Sequence, residues 1–381
     1  MVLYILLLIT TSAAAMLVCR ANGQPGTRGQ LINRMALVGI FMMLFLVSAL
    51  RYETGNDYPR YEEIFRRIWG GWVVPTEWGF NVLIKGLGYL FGETNYLLFF
   101  ALFAFFTVFF MLKALYALSE SFGFSFFLFM AFGYYFNSMN TMRYYFAAAL
   151  ALYAIVFIQR KQYVRFVCVI LLAALIHKSV LLVMPIYLLA NIPWKPWAIA
   201  VISALGISGL FLGNFYLKLI LILYPSYQNT EYLEGGTSYA NILRCGAVIA
   251  FCLFFRKNGW WEKKDLRMYF RLSCGALLLY LCGSFIPEVS RIGTYMTIPQ
   301  VFLLPGVAMR VGIGGDANGT NTPEAPSEGH SAPAVWYKNP RIYAMLGVCA
   351  AAIFYFVLWL YKADGDVIKL LPYKSFLFEG L

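Results

Sequence analysis

Uninterrupted apolar runs separated by short polar segments recur along almost the whole 381-residue chain. The first covers Val2 to Cys19. Others fall at 35–50, 94–117, 124–139, 143–158, 164–176, 178–190, 198–223, 241–255, 268–285, 292–309 and 342–361. Runs approaching about twenty apolar residues cross a bilayer as helices, because a helix satisfies its own backbone polar groups where water cannot. The pattern predicts an all-α polytopic membrane protein with about twelve transmembrane helices, within a range of roughly ten to fourteen. The runs flanking His177 are short for single spans and predict either one long helix or a helix broken inside the membrane. Val2–Cys19 lacks the positive start of a signal peptide, and lacks the small residue that a lipoprotein signal needs before its Cys. It is read as a retained helix, and residues 1–381 as one integral membrane domain.

Composition sharpens the class. The chain is 61% apolar and only 13% charged, whereas globular domains average nearer half and a quarter. Cytosolic enzymes, disulfide scaffolds and outer-membrane barrels are excluded. The formal charge of +12, from 30 Lys+Arg against 18 Asp+Glu, is first of all an orientation signal, since basic loops stay cytoplasmic. Residues 20–34 (Arg20, Arg28, Arg34), 159–165 (Arg160, Lys161, Arg165) and 256–267 (five basic residues) are mutually consistent with an outside N-terminus. The Gly/Pro/Ser/Asn-rich stretch 312–334 then reads as a flexible cytoplasmic linker, and His330 and the Asn318-Gly319-Thr320 sequon within it receive no role. No basic stripe or nucleic-acid motif appears, so no nucleic-acid partner is expected. The seven cysteines lie in or beside apolar runs without a C-x-x-C, and there are two histidines. Neither set suggests a metal site, and no cofactor motif is present.

The outer side carries a second loop at 225–240, a polar C-terminal tail and, before them, one substantial early loop, 51–93. Within this early loop Tyr58, Tyr61, Ile64, Phe65 and Ile68 recur at helical spacing between Arg60, Glu62, Glu63, Arg66 and Arg67, the pattern of an amphipathic helix lying at the interface. Glu77 to Phe91 is apolar enough for a second, re-entrant helix. Four arginines fall at outer ends of spans, where orientation disfavours them: Arg51, Arg143, Arg244 and Arg291. They either snorkel or pair with Glu53, Asp57 or Glu288, or they hold an anion, for which a guanidinium fork is suited. The Gly55-Asn56 turn would aim Asp57 inward, whereas Glu77 has a plain alternative as a helix cap. Asn140 and Arg143 form an N-x-x-R at a span terminus, which would share one helical face. His177-Lys178-Ser179 interrupts a long apolar segment, and Arg291 and Tyr295 share a face at i, i+4.

The order of these motifs resembles the EpsG family, Wzy-like polymerases of O-antigen, capsule and exopolysaccharide. The resemblance is carried by R-x(5)-D-x(3)-Y (Arg51, Asp57, Tyr61), then Glu77 before an apolar helix, N-x-x-R (Asn140, Arg143), H-x-S (His177, Ser179) ahead of Pro185 and Tyr187, and S-R-I-x-x-Y (Ser290, Arg291, Tyr295). The family's Gln after N-x-x-R is Tyr144 here, and Lys178 stands within H-x-S. The resemblance implies a GT-C-type glycosyltransferase at the outer, periplasmic face of the bacterial inner membrane, acting without cofactor or metal. It would join undecaprenyl-diphosphate-linked oligosaccharides among membrane lipids, with a chain-length regulator as a candidate partner. It implies Arg51, Asn140, Arg143, Arg244, Arg291 and Tyr295 as diphosphate ligands. Asp57, Glu77 and His177 are the catalytic candidates, with Asp57 narrowly preferred as base. Tyr61, Lys178 and Ser179 would contact the remaining substrate. The rival readings are a flippase or transporter of the same lipid-linked glycan, an O-antigen ligase and a membrane acyltransferase.

Overall fold

A computed structural model describes residues 1–18, 27–92, 95–223, 238–312, 339–365 and 368–378. The linker 312–334, the sequon, His330 and most of 225–240 lie outside these residues, apart from Gly312 and residues 238–240. The fold is helical throughout, with no strand among the described residues. Its elements are α1 (Val2–Met16), α2 (Thr27–Ala49), α3 (Tyr58–Trp69), α4 (Trp78–Phe91), α5 (Tyr96–Leu118), α6 (Phe122–Ala131), α7 (Tyr134–Ser138), α8 (Met142–Gln159), α9 (Tyr163–Ala174), α10 (Val183–Asn191), α11 (Pro196–Leu223), α12 (Tyr239–Phe254), α13 (Lys264–Cys282), α14 (Val289–Thr297), α15 (Gln300–Ala308) and α16 (Pro340–Ala363). Among the described residues five helices are long and apolar enough to cross a membrane: most of α2 and α11, and α5, α8 and α16. Shorter apolar helices stand between them.

α8 is the axis of the bundle. Its Ala147, Ala148, Ala149, Ala151 and Ala154 are buried, and these small side chains let α5 and α9 pack closely against it. α11 is peripheral, with most of its apolar side chains outward. That is the expected surface of a helix facing lipid.

Two expected spans are broken, and around His177 the broken form of the two expected readings is the one found. The 124–139 run divides into α6 and α7 at Gly133, which adopts φ +76° and packs where a Cβ would stand 3.0 Å from Trp359. The indole N–H of Trp359 in turn donates to Asn137 (3.0 Å). The 292–309 run divides into α14 and α15 near Pro299, which cannot donate the next helical hydrogen bond. The apolar segment around His177 is two helical arms. α9 ends at Ala174, a 3-10 turn follows at Lys178–Leu182, and α10 leads away.

Helix ends sort into two faces. On one, the C-terminal segment pairs with the start of the early loop: Tyr52, Gly55 and Asn56 donate backbone N–H to Lys374, Lys369 and Ile368. The Tyr4 hydroxyl donates to the Leu370 carbonyl (2.7 Å). On the other, Arg310 forks onto Glu120 (2.5 and 2.8 Å) and Gln159 donates to the Tyr269 hydroxyl (2.8 Å). The 159–165 and 256–267 basic loops therefore lie at this second face, opposite the early loop.

α3 is amphipathic as expected, with Tyr58, Tyr61, Phe65 and Ile68 buried. Its apolar face, however, is taken up by protein. The Phe65 ring centroid lies 3.8 Å from that of Phe99, and the Tyr58 ring stacks on Phe100 at 4.4 Å. α4 buries Phe80 and Ile84 beneath it and leaves Tyr89, Leu90 and Phe91 outward.

Candidate active site

Glu77 sits at the N-cap of α4 with extended backbone, yet its side chain makes no capping bond. One oxygen accepts from Arg143 Nη1 at 2.6 Å. The other accepts the backbone N–H of Lys178 at 3.1 Å and lies 3.6 Å from His177 Nδ1. Three distant segments are thus joined: the start of α4, the first turn of α8 and the α9–α10 break. A close backbone approach makes this possible. Phe80 N–H donates to the Leu175 carbonyl (3.0 Å), and a Cβ on Gly79 would stand 2.6 Å from the Leu175 Cβ.

Arg143 lies over the Phe80 ring, 4.7 Å from its centroid. Its Nε is buried without a partner among the described residues. His177 is 9% exposed, and neither ring nitrogen has a hydrogen-bond partner there. The Tyr144 ring meets it edge-on at 5.7 Å. A buried imidazole with both nitrogens unspent, between a carboxylate and arginines, costs desolvation that packing alone does not explain.

Asp57 closes the corner from the early loop. Its backbone N–H donates to Asn140 Oδ1 at 3.0 Å. Burial raises its carboxyl above the ordinary carboxylate range, while Arg291, Arg60 and Arg143 pull it back down. Asn140 precedes α8, which begins at Met142. It therefore does not share a helical face with Arg143, as the N-x-x-R spacing suggested; it braces the turn that presents Asp57.

From the other side comes α14. Arg291 pairs with Glu288 at 3.1 Å, and its carbonyl accepts from the Tyr144 hydroxyl at 2.7 Å. Tyr295 shares a 3.1 Å hydroxyl contact with Ser179, meets the Tyr144 ring at a tilt with centroids 5.1 Å apart, and accepts at its carbonyl from Tyr187 (2.7 Å).

Two of the expected arginines stand apart from this corner. Arg51 is buried, donating Nη1 to Ser48 (2.5 Å to the carbonyl) and lying 4.8 Å from the Phe100 centroid. Arg244 faces the other side of α14, where it donates to Thr297 Oγ1 (3.1 Å) and Tyr355 (3.4 Å). Glu53 pairs with Lys374, and Glu63 with Arg67, both solvent-exposed pairs. Tyr144 was visible in the sequence only as a departure from N-x-x-R-Q, and Phe80 carried no signal beyond being apolar. Among the described residues no three His, Cys, Asp or Glu side chains converge as a metal-ligand set.

The arrangement offers two arginines beside a partly buried carboxyl and an unpartnered imidazole. That set suits transfer of a group from an anionic leaving group to a hydroxyl. No curated protein and no solved structure matches the chain. Residues 35–313 match the EpsG family, a span that contains every residue of the corner just described. With most of its length in that match, the chain belongs to the EpsG family, which is associated with polysaccharide polymerisation.

Proposed function

We propose that the chain is a Wzy-type polymerase with GT-C-like architecture. It joins glycan repeat units carried on undecaprenyl diphosphate at the outer face of the bacterial inner membrane. The observation that carries this reading is the meeting of Asp57, Glu77, Arg143, His177 and Arg291 at one corner of an EpsG-family chain. In the reaction, an acceptor hydroxyl attacks the anomeric carbon of the donor glycan. The bond from that carbon to the diphosphate oxygen breaks, the diphosphate leaves with the electron pair, and the hydroxyl proton passes to a base.

Arg143 and Arg291 stabilise the departing charge, which grows in the transition state and so lowers the barrier rather than merely tightening binding. Glu77 has both oxygens engaged, by Arg143 and by the Lys178 N–H. In this reading it positions Arg143 and the His177 segment, and Asp57 takes the proton. His177 is a ligand to the diphosphate or a second proton acceptor, while Tyr61, Asn140, Lys178, Ser179 and Tyr295 line the corner and orient the glycan.

The reading is tested in cells lacking the native gene and supplied with variants. Arg143→Ala and Arg291→Ala should leave single repeat units on the surface lipid and abolish the polymer ladder. Normal ladders from well-expressed variants would remove the assignment of these arginines.

A further inference from the structure

α14 has a second polar edge. Arg291 and Tyr295 face Tyr144, Ser179 and Tyr187, but Thr297, about 200° further round the helix, accepts from Arg244 and from the Tyr134 hydroxyl (3.3 Å). Beyond Arg244 a groove of about 780 Å³ opens between α12 and α16. Its walls are apolar (Leu243, Phe251, Phe354), and small residues (Ala247, Gly347, Ala351) widen it. Leu243 is 75% and Phe354 64% exposed, so the groove opens sideways, where lipid would lie. Two cations line it, Arg244 and Lys362, and among the described residues no carboxylate does.

Arg244 stands five residues into α12, about 8 Å below its outer end. Among the described residues, besides two hydroxyls, its guanidinium lies against the rings of Phe132, Tyr134 and Tyr355, 5.3 to 5.8 Å from their centroids. Its Nε is buried without a partner among the described residues. Among the described residues no anion compensates this partly buried cation, which hydroxyls and rings hold.

We infer that this groove holds a long-chain isoprenoid phosphate. Its chain lies between α12 and α16 and its phosphate rests on Arg244, separated by α14 from the Glu77–Arg143–His177 corner. The lipid's identity rests on the polymerase reading, in which two lipid-linked glycans must be held at once; the site itself rests on the groove and on two lining cations that no described carboxylate in it offsets. Two lipid anions sharing one corner would repel, and α14 keeps their charges apart while its two edges address both.

The experiment is native mass spectrometry of the purified full chain with undecaprenyl phosphate as probe, with phosphatidylglycerol as competitor and inorganic pyrophosphate as a headgroup without a chain. Arg244→Gln removes the charge. Gly347→Phe fills the groove from a position where an added Cβ meets nothing within 4 Å. Each should weaken binding of one lipid by about tenfold or more, the scale of a lost charge-assisted contact, and leave binding of a second lipid, the one sensitive to Arg143→Ala, unchanged. Undiminished binding in both variants would overturn the site. Displacement by equimolar phosphatidylglycerol would make it a seat for bilayer lipid, and displacement by pyrophosphate alone would make it a headgroup site without a chain groove; either overturns the inference. Loss of lipid at Arg244 in a protein that forms no polymer would instead retain the site and remove the polymerase reading.

Discussion

Glu77 is the residue whose meaning changed most between sequence and structure. In the sequence it stands before an apolar helix, where a cap is the economical reading; in the fold it caps nothing and binds Arg143 and the Lys178 N–H. Its partners lie 66 and 101 positions away, a separation that no local spacing encodes. Asp57 was legible because the Gly55-Asn56 turn announces its direction, although its brace, Asn140, was misplaced onto a helix that starts two residues later. The two carboxyl groups separate by experiment. Asp57→Asn should abolish transfer without changing the melting temperature. Glu77→Gln leaves Arg143 short of its counter-charge in a partly exposed site, and should cost about 2 kcal/mol of stability as well as activity, less than for a fully buried pair. Calorimetry beside a polymer assay reads both. Because burial raises the Asp57 carboxyl and a base must be ionised, kcat/KM should fall as pH drops through a midpoint above the ordinary carboxylate value of about 4. A flat profile across that region would contradict Asp57 as base.

At the scale of elements, hydropathy located nearly every helix, because a run of apolar side chains is a property of consecutive residues. It marked the interruption at His177 but could not reveal where the other runs bend. The break at Gly133 depends on Trp359, more than two hundred residues later, and the His177 break is fixed by the approach of α4 at Gly79. Likewise the period of α3 was legible, but not that α5 would supply the surface it covers. The Gly79 contact gives a paired prediction. Gly79→Ala must push α4 away from Leu175, because the added Cβ would sit 2.6 Å from a side chain and 2.8 Å from a backbone oxygen. Displacing Glu77 by a fraction of an ångström to one ångström should lower polymerisation by on the order of a hundredfold. Gly86→Ala, on the same helix with nothing within 4 Å of the new Cβ, should be close to neutral. Equal effects from the two substitutions would separate the site from the α4 approach.

For the molecule as a whole, the excess of basic residues divides by location. Basic loops collect at the face bearing the Arg310–Glu120 pair, while Arg143, Arg291 and Arg244 stand near the opposite ends of their helices. In the proposed orientation the first group is cytoplasmic and the second serves lipid anions. In a background without the native cysteines, Lys374→Cys should react with an impermeant maleimide in intact spheroplasts, and Lys161→Cys only after permeabilisation; the reverse would invert the topology. Composition and loop charge were enough to propose these faces, because both are sums over many residues. That Arg51 would turn into the bundle and Arg244 to the far side of α14 was not legible, since four arginines at similar depth look alike along a chain. The central claim is that the corner at Asp57, Arg143 and Arg291 transfers glycan between lipid diphosphates. Its most direct test is the purified protein incubated with undecaprenyl-diphosphate-linked repeat units alone, with products resolved by length. The account predicts a ladder of polymer formed without nucleotide sugar or acyl donor, absent with Arg143→Ala; unextended repeat units from the active, folded protein, or an unchanged ladder from that variant, would contradict it.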